Sequence, residues 1–62
     1  MISERYLVDL LITSTDPLGV YVTYDQFSAL DISVIKYYLG PRYLLFVNTV
    51  DFGYMLKAEK FD

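Results

Sequence analysis

The chain has 62 residues, a net charge of −3 and a hydrophobic content of 55%, which allows one small domain over residues 1–62. It contains no Cys and no His, so disulfides, thiolate chemistry and the usual zinc ligands are excluded. A core of this size is only marginally stabilising, and oligomerisation is the remaining way to bury more apolar surface. The composition favours a binding protein over an enzyme, and we expect no cofactor.

Charge and hydropathy restrict the partners and the compartment. Residues 1–5 lack the features of a signal peptide, and no stretch reaches 18 uncharged apolar residues, so we expect a cytoplasmic protein of the host cell with no membrane partner. Every charged residue between Arg5 and Lys36 is acidic: Asp9, Asp16, Asp25 and Asp31. Such a surface repels nucleic acid and favours approach to a basic protein surface.

Two strands are predicted in the first third of the chain. Arg5 to Ser14 has an apolar face at a period of two, formed by Tyr6, Val8, Leu10 and Ile12. Residues 14–19 have turn composition, with Gly19 supplying a positive φ. Residues 20 to about 24 are rich in β-branched and aromatic residues, and we expect this second strand to pair with the first as an antiparallel hairpin.

Residues 28–40 are predicted to form a helix that is apolar on two faces, and Gly40 followed by Pro41 ends it. One face holds Leu30, Val34, Tyr37 and Tyr38, and the other holds Ile32, Ile35 and Leu39. One face would pack on the sheet and leave the other for a partner. We prefer a start near residue 27, because Ser28 with Asp31 resembles a capping box, while Thr23 with Gln26 offers an earlier start at residue 24.

The last third is predicted to return to the sheet. Residues 42–50 are apolar on both faces, which is typical of a strand in the sheet interior or at a dimer seam. Residues 51–53 form a turn, and residues 54–61 form either a charged edge strand or a short helix. The predicted fold class is α+β, with a small antiparallel sheet of three or four strands packed with one helix in the order ββαβ(β).

The candidate functional residues are partner contacts, and none is assigned a catalytic or metal-binding role. Adjacent helical tyrosines point about 100° apart, so one of Tyr37 and Tyr38 would pack inside and the other would reach a partner. Asp25 is the acid best placed for binding, whereas Asp16 and Asp31 suit a turn and a helix cap. The predicted partner-binding set is Tyr24, Asp25, Ile32, Ile35, Tyr37 and Tyr38.

Several segments resemble the small uracil-DNA glycosylase inhibitors of Bacillus phages. Residues 6–11 (YLVDLL) are similar to that family's first strand, with its turn at residues 16–19, and residues 21–25 (YVTYD) to its second strand. Residues 48–51 (NTVD) with 56–60 (LKAEK) are similar to its closing segment. This chain departs from the family in carrying extra residues after the helix. It also has Ile32 where the family has an aromatic residue early on its helix, while the family's late helical aromatic corresponds to Tyr37 or Tyr38.

The resemblance implies a homodimer that occupies the DNA-binding groove of uracil-DNA glycosylase. Acidic groups would then mimic DNA phosphates, and an apolar pocket at the dimer's helices would hold a side chain that the enzyme inserts into DNA. The alternative is a small homodimeric adaptor, or a phage host-takeover protein, with another protein target.

Overall fold

The computed structural model describes residues 3–61 and has an α+β fold. In chain order its elements are α1 (Glu4–Thr13), β1 (Val20–Thr23), α2 (Tyr24–Ser28), α3 (Ile32–Leu39), β2 (Tyr43–Val50) and β3 (Gly53–Lys60). The strands form one antiparallel sheet in the order β1-β3-β2. The α+β class and the three-stranded sheet are confirmed, but the predicted order ββαβ(β), with one helix, is wrong.

The segment predicted as the first strand is the helix α1. The Ser3 side chain caps it by accepting a hydrogen bond from the Tyr6 N–H, and its buried residues Leu7, Val8 and Leu11 follow a helical spacing. Because most positions from residue 6 to residue 12 are apolar, the sequence fits a period of two as well as one of 3.6. Packing of α1 on α3 and on β3 decides in favour of the helix.

The turn after α1 forms as predicted but joins different elements. The Leu18 N–H donates to Asp16 Oδ1 at 2.9 Å, and Gly19 has a φ of 95°, so Asp16 is a turn former. The turn connects α1 to β1, and β1 pairs with β3. The predicted hairpin between residues 5–14 and 20–24 is therefore wrong.

The central and edge strands are exchanged relative to the prediction. Residues 53–60 form a strand, which confirms that alternative, yet the charged β3 lies in the centre of the sheet and not at its edge. The apolar β2 is an edge strand, so its expected place in the sheet interior is wrong, while the alternative place at a dimer seam stays a prediction. This arrangement arises because β2 and β3 form a hairpin through residues 51–52 and β1 pairs with the other side of β3.

The predicted long helix is two helices, each with its own cap. Thr23 and Gln26 form a capping box at the start of α2, so the start at residue 24 is confirmed and the start at Ser28 is wrong. Asp31 caps α3, since its Oδ1 accepts a hydrogen bond from the Ser33 N–H at 3.0 Å. Gly40, with a φ of 83°, ends α3 as predicted.

The core lies between the helices and one face of the sheet. Its buried side chains are Leu7, Val8, Leu11, Val22, Ile35, Leu39 and Leu56. Directly opposed residues of antiparallel strands share a face, so Val22, Leu56 and their same-face neighbours form the inner face of the sheet. Burial of Ile35 and Leu39 shows that the isoleucine face of α3 packs inward.

Candidate functional site

The six predicted contact residues do not form one surface. Ile35 is fully buried and Ile32 is half-buried against the same core, because their face of α3 packs inward. Ile35 therefore presents no side-chain surface to a partner, and its role is to hold the helices together. The other four residues lie on two separate surfaces.

The first surface carries Tyr37 and Tyr38 on the outer side of α3. Tyr37 is 81% exposed and Tyr38 is 43% exposed, so the expectation that one of them packs inside is wrong. The two ring centroids lie 5.7 Å apart, and the Arg5 guanidinium from α1 lies 5.7 Å from the Tyr38 ring centroid. Tyr38 thus contributes a cation–π contact between two helices, which is a structural use of the ring.

The second surface begins with Tyr24 and Asp25, in the first turn of α2. Tyr24 packs edge-to-face on Tyr54 with ring centroids 5.5 Å apart, and the Phe27 ring packs on the same tyrosine with centroids 4.2 Å apart. Thr23 is paired with Gly53, so the start of α2 lies beside the β2–β3 turn. Tyr24 and Asp25 are both exposed there.

The β2–β3 turn places Phe52 at its tip in an unfavourable backbone conformation. Its φ is 67°, and no other non-glycine residue among those described has a positive φ. That region favours glycine or asparagine, and a bulky side chain there is an outlier. The Tyr21 hydroxyl donates to the Phe52 carbonyl oxygen at 3.0 Å and holds the turn, while the Phe52 side chain is 80% exposed.

These residues together form what we call the acidic aromatic end: Tyr24, Asp25, Asp51 and Phe52. A shallow, open depression at this end is lined by the two aromatics with Thr49, Val50 and Asp51. The first basic residue along β3 is Lys57, four residues beyond Gly53, or about 13 Å along an extended strand. This end can therefore attract a cationic surface and present an aromatic anchor to it.

Sequence reasoning identified half of this surface. It selected Tyr24 and Asp25, but it assigned residues 51–53 only to a turn. A usable signal was present, since Phe52 occupies a turn position where glycine or asparagine is normally found. Contact between α2 and the turn depends on the pairing of β1 with β3, which the sequence pattern did not indicate.

The fold and this surface define a small α+β protein with a three-stranded antiparallel sheet. Within residues 3–61, no group of three or more His, Cys, Asp or Glu side chains is placed to hold a metal ion. None of the helices in this range is long and apolar enough to cross a membrane. Comparisons with models of protein families, with curated proteins and with solved structures found no match.

Proposed function

We propose that this protein is a non-catalytic binding protein that docks its acidic aromatic end on a basic surface of a partner protein. The observation that carries the proposal is Phe52. A phenylalanine in this conformation is less favourable than glycine, and its exposed ring gains little from burial within the chain. A contact outside the chain accounts for a residue that the fold itself does not require.

Charge supports a basic partner. Asp25 and Asp51 are both exposed and are the chain neighbours of Tyr24 and Phe52, and the whole chain carries a net charge of −3. Such a surface speeds association with a positively charged groove and disfavours acidic partners. DNA-binding enzymes expose such grooves, so they are the partner class that we propose, acting in the cytoplasm of the host cell.

The resemblance described above makes uracil-DNA glycosylase the named candidate target. Its order of elements differs from that of this fold, because residues 6–11 lie in α1 and not in a first strand. The proposal of this target therefore depends on the acidic and aromatic chemistry of one end of the molecule. The alternative is an adaptor or host-takeover protein that uses the same end on another basic partner.

Inhibition of uracil-DNA glycosylase is the direct test of the target. We expect purified enzyme to lose uracil excision from a uracil-containing oligonucleotide when the protein is in excess, and inhibition to weaken as salt is added. The double variant Asp25→Asn/Asp51→Asn should inhibit less well than Asp9→Asn/Glu59→Gln, which removes the same charge elsewhere. Undiminished excision at large excess would exclude this target and leave the adaptor.

A second prediction separates binding from stability at Phe52. In Phe52→Gly we expect a thermal midpoint no lower than that of the natural chain, because relief of about 1–2 kcal/mol of left-handed strain offsets the added flexibility of glycine. Inhibition by this variant should fall at least about tenfold, since aromatic anchors at interfaces are worth roughly 2 kcal/mol or more.

The control for this prediction is Leu18→Ala, which removes another highly exposed apolar side chain at the opposite end of β1. Leu18 is 72% exposed, and its replacement should change neither the thermal midpoint nor inhibition. A Phe52→Gly protein that unfolds readily would show that the ring supports the fold. One that inhibits as well as the natural chain would remove Phe52 from the binding surface.

A further inference from the structure

The edge strand β2 lacks the features that normally prevent edge strands from pairing. Its eight residues, YLLFVNTV, include no charge and no proline, whereas the central strand β3 carries Lys57, Glu59 and Lys60. Natural sheets usually place charges, prolines or bulges on the edge, because an open edge pairs readily with another strand. Here the charges lie on the central strand, and the uncharged strand is open.

Apolar side chains of β2 are exposed on both faces of the sheet. Leu44 and Phe46 point to the outer face and are 51% and 41% exposed. Val47 points to the inner face and is nevertheless 42% exposed, because the helices pack on the other strands: α1 on β3, and α2 on β1 and β3. A strand added beside β2 would cover apolar surface on both faces.

The backbone of β2 has its free hydrogen-bonding groups at the odd positions. Phe61 lies opposite Arg42 in the continued register, and its N–H donates to the Arg42 carbonyl at 3.0 Å. Residues alternate along an antiparallel ladder, so the even-numbered residues of β2 bond to β3. The odd-numbered residues direct their N–H and C=O groups to the open edge: Tyr43, Leu45, Val47 and Thr49.

We propose that β2 pairs antiparallel with β2 of a second copy of this chain, joining two sheets into one of six strands. In such a two-fold interface the same segment meets itself, so a charge near the axis would lie close to the same charge of the second copy. Tyr43–Val50 is free of charge in a chain whose net charge is −3, and it therefore suits its own copy. The other edge, β1, is only four residues long and is followed closely by Asp25.

Hydrogen bonding restricts the register of this pairing. Odd residues must pair with odd residues, so the two-fold axis passes beside a residue and not between two residues. The axis at Phe46 pairs residue 43 with 49 and residue 45 with 47, which satisfies all four outward-facing residues. An axis at Leu45 leaves Thr49 without a partner in β2, and an axis at Val47 leaves Tyr43 without one. We therefore assign the axis to Phe46, with the two Phe46 side chains adjacent on the outer face.

This dimer leaves Tyr24, Asp25, Asp51 and Phe52 of both copies outside the strand pairing, although Thr49, which lines the depression, pairs with Tyr43 of the second copy. In an antiparallel pair the β2–β3 turns of the two copies lie at opposite ends of the new sheet. Asp51 lies five positions beyond Phe46 in each copy, so the two turns would lie roughly 35 Å apart at about 3.4 Å per residue. Dimerisation and binding of a basic partner are therefore compatible, and neither proposal depends on the other.

Sedimentation of edge variants tests the interface. The natural chain should sediment at micromolar concentration with twice its 7.2 kDa mass. Val47→Pro removes an outward N–H and spares the bonds to β3, so it should be monomeric with a natural circular dichroism spectrum. If that variant does not fold, Val47→Lys provides the same test, because its charge on the edge strand should also make the protein monomeric.

The matched control is Tyr37→Lys, which places the same charge on the exposed side of α3 and should leave the dimer intact. A monomeric natural chain, a dimeric Val47→Lys protein or dissociation by Tyr37→Lys would each overturn the proposal. Dissociation by the last variant would move the interface to the helices.

Disulfide trapping tests the register, because the natural chain has no cysteine. Two Cys residues at position 46 would face each other with Cα atoms about 4.5 Å apart, within the range for a disulfide. Phe46→Cys should give a covalent dimer on mild oxidation, whereas Leu44→Cys, offset from its copy by about 13 Å along the strand, should not. A covalent dimer of Leu44→Cys with none of Phe46→Cys would overturn the assigned register, and so would stronger trapping by Val47→Cys.

Discussion

Replacing Gly19 with alanine is expected to remove several kcal/mol from the free energy of unfolding. Gly19 has a φ of 95°, and alanine in the left-handed region costs about 1–2 kcal/mol. The added Cβ would also overlap the carbonyl oxygen of Leu56, in the central strand, so β1 or β3 must shift. Forced displacement in a packed region costs about 1–3 kcal/mol more. Small domains have about 0.05–0.15 kcal/mol of stability per residue, so this loss would be a large share of the free energy of unfolding.

Gly40→Ala is the control that isolates the overlap of the added Cβ with β3 from the cost of the positive φ. Gly40 also has a positive φ, of 83°, but its added Cβ would meet no atom within 4 Å. The free energy of unfolding of Gly40→Ala should therefore fall only by the cost of placing alanine at a positive φ, about 1–2 kcal/mol. Urea denaturation followed by circular dichroism measures both variants. Equal losses for Gly19→Ala and Gly40→Ala would contradict the close approach of Gly19 to β3.

Ile35→Ala is expected to have a similarly large effect, a loss of about 2–5 kcal/mol that is typical of buried isoleucine. Ile35 is fully buried, and it belongs to the cluster that joins α1, α3 and the sheet. The cavity left by the deleted atoms would lie where a helix layer meets the inner face, so little of it could fill with solvent. Thermal denaturation should show a clearly lowered midpoint.

The matched variant on the same helix is Tyr37→Ala. Tyr37 is 81% exposed, and exposed substitutions usually change stability by no more than about 0.5 kcal/mol. The pair therefore tests which face of α3 packs inward. A stable Ile35→Ala protein with weakened partner binding would restore Ile35 to a binding surface and reverse the assigned orientation of the helix.

Local signals in the sequence were sufficient for the features that depend on neighbouring residues. The turn around Asp16 and the helix end at Gly40 form as predicted, and the cap at Thr23 is the alternative start that the sequence offered. Each depends on a hydrogen bond or a φ value set within a few residues. The strands at residues 20–23 and 43–50 were also predicted, because β-branched and aromatic residues dominate them.

Features that depend on distant residues were missed or misplaced. The segment from residue 5 to residue 14 became a helix because its apolar side could be covered by α3 and β3, a choice that its own periodicity left open. The helix predicted over residues 28–40 became two, since each of two caps within nine residues starts its own helix. Strand order depends on pairing across the chain.

The candidate site, too, depends partly on local sequence and partly on contacts between distant residues. By itself, the sequence determined a small cysteine-free α+β domain with an acidic first half and excess apolar surface, because composition and short-range patterns carry that information. Only the tertiary structure decided that Ile35 is buried, that Phe52 joins Tyr24 at one end and that β2 is the open edge. The physical reason is that burial and strand order depend on which segments meet, and those contacts join residues far apart in the chain.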